Sequence, residues 1–366
     1  MGRFVKLRGV INCRERAEGK PACWLERTST INDVFAGSHA KLAKMRLSVI
    51  PLAVFASLLT GSGLCQTGAS PEQRFGSSIA DLVPQPAQTV PLYAGEIPGS
   101  KATADEETKL SFDGGIEKVS RPAMTVYLPG KAKSNGSSII IFPGGGYVME
   151  SYAMEGTSIA EAFQDRGVAA LLIKYRLPND ATMVDKSIGP LQDAQRAIQM
   201  ARENASKWNI DPGKIGVIGF SAGGHLASTV GTHFDKAYIP NTGNTSLRPD
   251  FMVLVYPVIS MASQLTHQGS RDALLGKNPA ASLVQLFSND QQVTQRTPPA
   301  LLLHATDDLL VDVDNSVTFY EALHHHNVPA GMILFPKGNH GFFGIARDEW
   351  MEPVFTWMLK NGWMKP

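Results

Sequence analysis

Apolar residues recur along this chain in short unbroken runs, separated by stretches with helical spacing. The runs are Ala123 to Leu128, Ser138 to Phe142, Val168 to Ile173, Ile215 to Ile218, Phe251 to Tyr256, Pro299 to His304 and Gly331 to Pro336. Each has the length and continuity of a strand buried on both faces. Between them, Ser158 to Arg166 and Pro190 to about Lys207 have helical patterns. In the second, Leu191, Ala194, Ala197, Ile198, Ala201 and Ala205 share one face, with Asp193, Arg196 and Arg202 off it. Asp314 to Leu323 and Trp350 to Leu359 predict the last two helices. Strands alternating with helices imply a mostly parallel sheet covered on both sides.

Three strand ends carry candidate chemistry. Gly219-Phe220-Ser221-Ala222-Gly223 follows one apolar run and precedes a helical stretch, the strand, turn, helix context of a nucleophile elbow. Pro143-Gly144-Gly145-Gly146-Tyr147 follows another. An isolated triple glycine is ordinarily a flexible loop, but at this place ahead of an elbow its N–H groups suit an oxyanion hole. Asp307-Asp308 and His340 follow the last two runs, so the chain order is Ser, Asp, His, as in an α/β-hydrolase triad.

On these residues, together with Lys174-Tyr175-Arg176-Leu177-Pro178, Trp208 to Pro212, Asp308-x-x-Val311 and Gly338-x-His340-Gly341, the chain from about Ser120 resembles the α/β-hydrolase superfamily. It is similar to the carboxylesterase branch that includes hormone-sensitive-lipase-like enzymes and bacterial acetyl xylan esterases. The resemblance implies an α/β-hydrolase fold with a short cap between Pro257 and Pro298. It also implies Ser221 as nucleophile, Asp308 as acid, His340 as base, and the N–H groups of Gly145, Gly146 and Ala222 as oxyanion donors. Pro143 stands where lipase-like members usually have His, which points to the acetyl xylan esterase-like branch.

The implied activity is serine esterase chemistry on short-chain, acetyl esters of carbohydrates such as acetylated xylan, with no cofactor and no metal. Alternatives are a general carboxylesterase or lipase-like hydrolase, a serine peptidase, or a binding protein on a hydrolase fold. Tyr147, Tyr152 and Phe342 are candidate substrate-binding residues, and Tyr175 lies near the same loops. His225 reads as a packing residue and His304 as a satisfied core histidine. His324-His325-His326 read as surface residues, because adjacent histidines on a helix cannot converge on one ion.

The formal net charge of +1 over 366 residues gives no electrostatic case for a nucleic-acid or anionic-membrane partner. Leu47 to Leu59 is an apolar run behind Lys41, Lys44 and Arg46 and ahead of small residues. It is short for a bilayer span and laid out as an export signal, which predicts a secreted or periplasmic protein. The expected organisation is a start-site artefact or long n-region at 1–44, a signal at 45–69, a linker or arm at 70–115, and the catalytic domain at 116–366. Cys13, Cys23 and Cys65 all precede that domain, so disulfides and thiolate chemistry are not expected in it.

Overall fold

The computed structural model describes residues 83–111 and 114–365, and the backbone of 12–14 and 22–24. The candidate export signal at 45–69 and its cleavage zone lie outside the described residues. The chain divides into units at 1–68 and 69–366. In the first, β1 (Asn12–Arg14) pairs antiparallel with β2 (Ala22–Trp24).

The second unit is built on an eight-stranded sheet. In chain order its strands are β3 (Gln88–Pro91), β6 (Ala123–Tyr127), β7 (Ser138–Phe142), β9 (Ala169–Lys174), β10 (Ile215–Phe220), β11 (Phe251–Val255), β12 (Ala300–Ala305) and β13 (Ala330–Phe335). Their spatial order is β13-β12-β11-β10-β7-β9-β6-β3. All pairs from β13 to β9 are parallel, and β6 and β3 join antiparallel at one edge. A small antiparallel sheet of β4 (Thr108–Lys109), β5 (Ile116–Glu117) and β8 (Met149–Glu150) lies apart from it.

Alternation along the strands divides the core into two layers. Ile140, Leu171, Val217 and Leu254 face one layer with α2 (Gly189–Glu203), α4 (Ser221–Thr232) and α7 (Asp314–His325). Ile139, Ile141, Leu172 and Val253 face the other with α1 (Ser158–Asp165) and α8 (Arg347–Lys360). A short α3 (Ala205–Trp208) follows α2. The cap contains α5 (Gln268–Leu275) and α6 (Ala281–Leu286). This is the α/β-hydrolase architecture expected from the sequence.

Two expectations are corrected. The described part of the expected linker contributes a strand: Gln88–Pro91 pairs with Ala123–Tyr127, and Leu92 after it is 1% exposed. Asp193, expected off the core-facing side of α2, is fully buried against Arg176, whose Nη2 lies 2.8 Å from Asp193 Oδ1. Arg176 also donates to the carbonyls of Pro98 and Gly189, so its remaining N–H groups are satisfied away from water.

The sheet positions the site. β7 and β10 are distant in sequence but adjacent and parallel in space, with Gly219 opposite Phe142. The glycine loop and the elbow therefore emerge side by side at the carboxyl ends of their strands, where open parallel sheets place ligands.

Candidate active site

Ser221 sits where β10 turns into α4, with φ of +51°. A side chain rarely holds that angle, and the neighbouring glycines allow the turn. A Cβ on Gly219 would stand 2.1 Å from the Gly223 carbonyl oxygen, and one on Gly223 would stand 2.1 Å from that of Phe142. Any larger residue at either place would push the elbow apart.

His340 reaches Ser221 from the loop after β13. Its Nε2 lies 2.9 Å from Ser221 Oγ and its Nδ1 lies 2.7 Å from Asp308 Oδ2. The other carboxylate oxygen of Asp308 accepts the N–H groups of Leu310 and Val311, each at 2.9 Å. Burial pushes the Asp308 carboxyl up, but hydrogen bonds from His304, His340 and the Val311 N–H outweigh burial and hold it well below the usual range. Asp308 is therefore ionised, and His340 carries its proton on Nδ1 and offers Nε2 to the serine.

Asp307 has a different place. Its Oδ1 accepts the N–H of Asn339 at 2.7 Å, which ties the strand-end turn to the loop carrying His340. Only one of the two adjacent aspartates meets the imidazole.

The loop Gly144 to Gly146 is fixed from behind. Gly144 donates its N–H to Glu155 Oε2 at 2.7 Å and accepts from Ser151 N–H at 2.9 Å. Gly145 has φ of +125°, and a Cβ there would stand 2.3 Å from the Met149 carbonyl oxygen. The N–H groups of Gly145 and Gly146 meet no backbone acceptor among the described residues. Ala222 lies in the first turn of α4, where N–H groups have no intrahelical acceptor.

The candidate substrate-binding residues divide. Tyr147 is 1% exposed and turns its hydroxyl to His225 Nδ1 at 2.8 Å, so it packs inside rather than on a rim. The Tyr152 hydroxyl meets Thr125 Oγ1 at 2.9 Å at the sheet edge. Tyr175 donates to the Pro143 carbonyl at 2.7 Å and so supports the glycine loop. Phe342 alone lines a cavity beside His340. That cavity, about 680 Å³, is mostly apolar, with Phe220, Tyr256, Phe343 and Trp350 in its wall. Apolar surface near the site is thus larger than the short cap suggests, because α1, α8 and the His340 loop supply it.

Other residues at the site were not legible as such. His304 is a buried core residue, as expected, but its Nε2 also lies 3.2 Å from Asp308 Oδ2. The Tyr256 ring stands 4.8 Å from that of His340, and its hydroxyl donates to Glu155 Oε1 at 2.9 Å. Glu155 belongs to a π-helical turn, Tyr152–Thr157, whose period leaves no 3.6-residue pattern. His267 caps α5 and borders Gly146. The spacing His267-x-x-Ser270 is the one sequence signal it offered.

The BD-FAE family description matches residues 124–323. The chain belongs to the BD-FAE family. Among curated relatives it is 39% identical over 217 residues to endo-1,4-beta-xylanase B of Butyrivibrio fibrisolvens, covering 58% of this chain and 33% of that protein. It is 32% identical over 264 residues to an acetylxylan esterase of Xylanibacter ruminicola, covering 70% of this chain and 52% of that one. The chain thus spans about half or less of the length of these relatives. A solved structure, the acetyl ester-xyloside bifunctional hydrolase of Caldicellulosiruptor lactoaceticus, aligns with a TM-score of 0.64 at 36% identity over 76% of this chain and 97% of that one. The BD-FAE match runs from β6 into α7. It therefore includes the glycine loop, Ser221 and Asp308, while His340 lies beyond it.

Proposed function

We propose that this BD-FAE chain is a serine esterase releasing acetyl groups from carbohydrate esters of the acetylated xylan type. The observation that carries the reading is the continuous hydrogen-bonded line from Ser221 Oγ through His340 to Asp308. In this reading His340 takes the serine proton as Oγ attacks the ester carbonyl. Asp308 holds the ring's orientation and stabilises its charge. The N–H groups of Gly145, Gly146 and Ala222 receive the oxyanion. Collapse expels the sugar hydroxyl, protonated by His340, and leaves acetyl-Ser221. Water, deprotonated by His340, then attacks the acyl carbonyl, the bond to Ser221 Oγ breaks, acetate leaves, and His340 returns the proton to Oγ. Atoms and protons balance without a cofactor.

The acetyl and carbohydrate parts of the reading are supported by the acetylxylan esterase of Xylanibacter and the acetyl ester-xyloside hydrolase of Caldicellulosiruptor. Export is supported by the apolar run at Leu47 to Leu59. Among the described residues no helix is long and apolar enough to cross a membrane. N-terminal sequencing of the exported protein is expected to find a start between Cys65 and Pro71. A start at Met1 refutes the signal.

A second reading is a general carboxylesterase for larger acyl groups, favoured by the apolar cavity beside His340. Each methylene buried there would add up to ~0.8 kcal/mol of binding. The deciding experiment measures kcat/KM on p-nitrophenyl esters from acetate to octanoate, together with acetate release from acetylated xylo-oligosaccharides. The acetyl reading expects a falling profile and free acetate. A rising profile with no acetate release overturns it in favour of the second.

A further inference from the structure

His267 is fixed at the N-terminus of α5 by its own ring. Its Nδ1 accepts the Ser270 N–H at 3.3 Å and lies 2.8 Å from the Ser270 hydroxyl. A backbone amide only donates, so Nδ1 is the unprotonated nitrogen and the neutral ring carries its proton on Nε2. Burial lowers the His267 pKa and the nearby His340 lowers it further, which favours the neutral form. Nε2 has no hydrogen-bond partner among the described residues.

The ring stands over the oxyanion loop. Its Cε1 is 3.9 Å from the place a Cβ on Gly146 would take, and Ser270 Oγ is 4.0 Å from the same point. Two cavities flank this loop and differ in character. The apolar one has His340 in its wall. The other, about 480 Å³, is walled by Tyr147 and Val148 of the loop, by Asp272 and Ala273 of α5, and by polar groups such as Asn179 and Lys186. An acyl group on Ser221, beside His340, has the first, apolar cavity open to it, which leaves the other side of the loop for the alcohol. His267 lines neither cavity; it stands beside Gly146, at the N-terminus of the helix whose Asp272 and Ala273 wall the second.

We propose that His267 contacts the substrate, donating its Nε2–H to a hydroxyl next to the ester on the alcohol portion. The proposal rests on the esterase reading above. It makes His267 a determinant of alcohol preference, separate from the groups that hold the oxyanion.

The test uses two acetates with the same acyl group. Glyceryl monoacetate has hydroxyls beside the ester, and ethyl acetate has none. His267→Asn keeps a good capping side chain but is too short to present the far-side donor. The ratio of kcat/KM for glyceryl monoacetate over ethyl acetate is expected to fall about tenfold in His267→Asn, the scale of one hydrogen bond. His267→Gln, with an amide donor on a longer arm, is expected to recover part of that ratio. A ratio within twofold of wild type in both variants overturns the proposal. Wild-type protein that cleaves both acetates but not acetylated xylo-oligosaccharides refutes the carbohydrate reading and leaves this test intact.

Discussion

His304 and His340 meet the same oxygen of Asp308, at 3.2 and 2.7 Å. The first is buried and held by Ser316 through its other nitrogen at 2.8 Å, so it braces the carboxylate from the core side. His304 Nε2 also lies 3.0 Å from the Val311 carbonyl oxygen, which requires the proton to be on that nitrogen. His304→Leu removes a donor to an ionised group, worth ~1.5–3 kcal/mol, so kcat is expected to fall roughly 10- to 100-fold. Steady-state kinetics checks this, with KM expected to change less than kcat.

Ser221→Ala is expected to lower kcat by on the order of 10⁶ while leaving the fold intact, because the triad acts as a unit. Fluorophosphonate labelling should be lost together with activity, and the circular dichroism spectrum should not change. Mutant activity within tenfold of wild type would refute the nucleophile.

Asp308 and Asp307 should separate sharply. Asp308→Asn imposes the wrong tautomer on His340 and is expected to cost roughly 10⁴ in kcat. Asp307→Asn loosens the Asn339 tether and an exposed ion pair with Lys337, and is expected to stay within about tenfold. The reverse ranking would transfer the acid role to Asp307.

His225 makes stability sensitive to acid. Burial pushes its pKa down to about 4, and its ring is satisfied as the neutral form by Tyr147 and the Phe287 carbonyl. The unfolded chain titrates near the ordinary histidine value, so below it the unfolded state binds more protons. Stability is present above that value and is lost as pH falls towards 4, by about 3 kcal/mol from this group. Urea denaturation of wild type and His225→Gln at pH 7 and pH 4.5 is expected to show the smaller drop in the variant. Equal drops would remove His225 as the cause.

Asp193→Ala leaves the Arg176 guanidinium buried without its countercharge and is expected to cost about 3–5 kcal/mol. The denaturant midpoint reads this directly. A loss below about 1 kcal/mol would show that water or the backbone carbonyls replace the carboxylate.

The elbow and the glycine loop were legible because their signals are local: a glycine two residues either side of Ser221, and three in a row after Phe142. The strands carrying Asp308 and His340 were legible by run length and order. What escaped depends on distant partners. Gln88–Pro91 has no strand pattern of its own and is a strand because Ala123–Tyr127 offers a free edge. Asp193 reads as polar until Arg176 reaches it from the end of β9. Tyr147 reads as a loop aromatic until His225 takes its hydroxyl, and His304 reads as core until Asp308 folds back four residues later.

The four residues of β3 also limit how far the leading segment can be trimmed. With Gln85 N–H donating to Leu128 and Leu92 N–H to Pro122, the strand covers the whole length of β6. Cleavage beyond residue 92 would expose a longer, largely buried strand as a template for self-association. Β3 itself is short and ends in Pro91, which blunts pairing on its outer side. Any cleavage ahead of the domain would therefore have to stop short of Gln88 to leave a protein that stays dispersed.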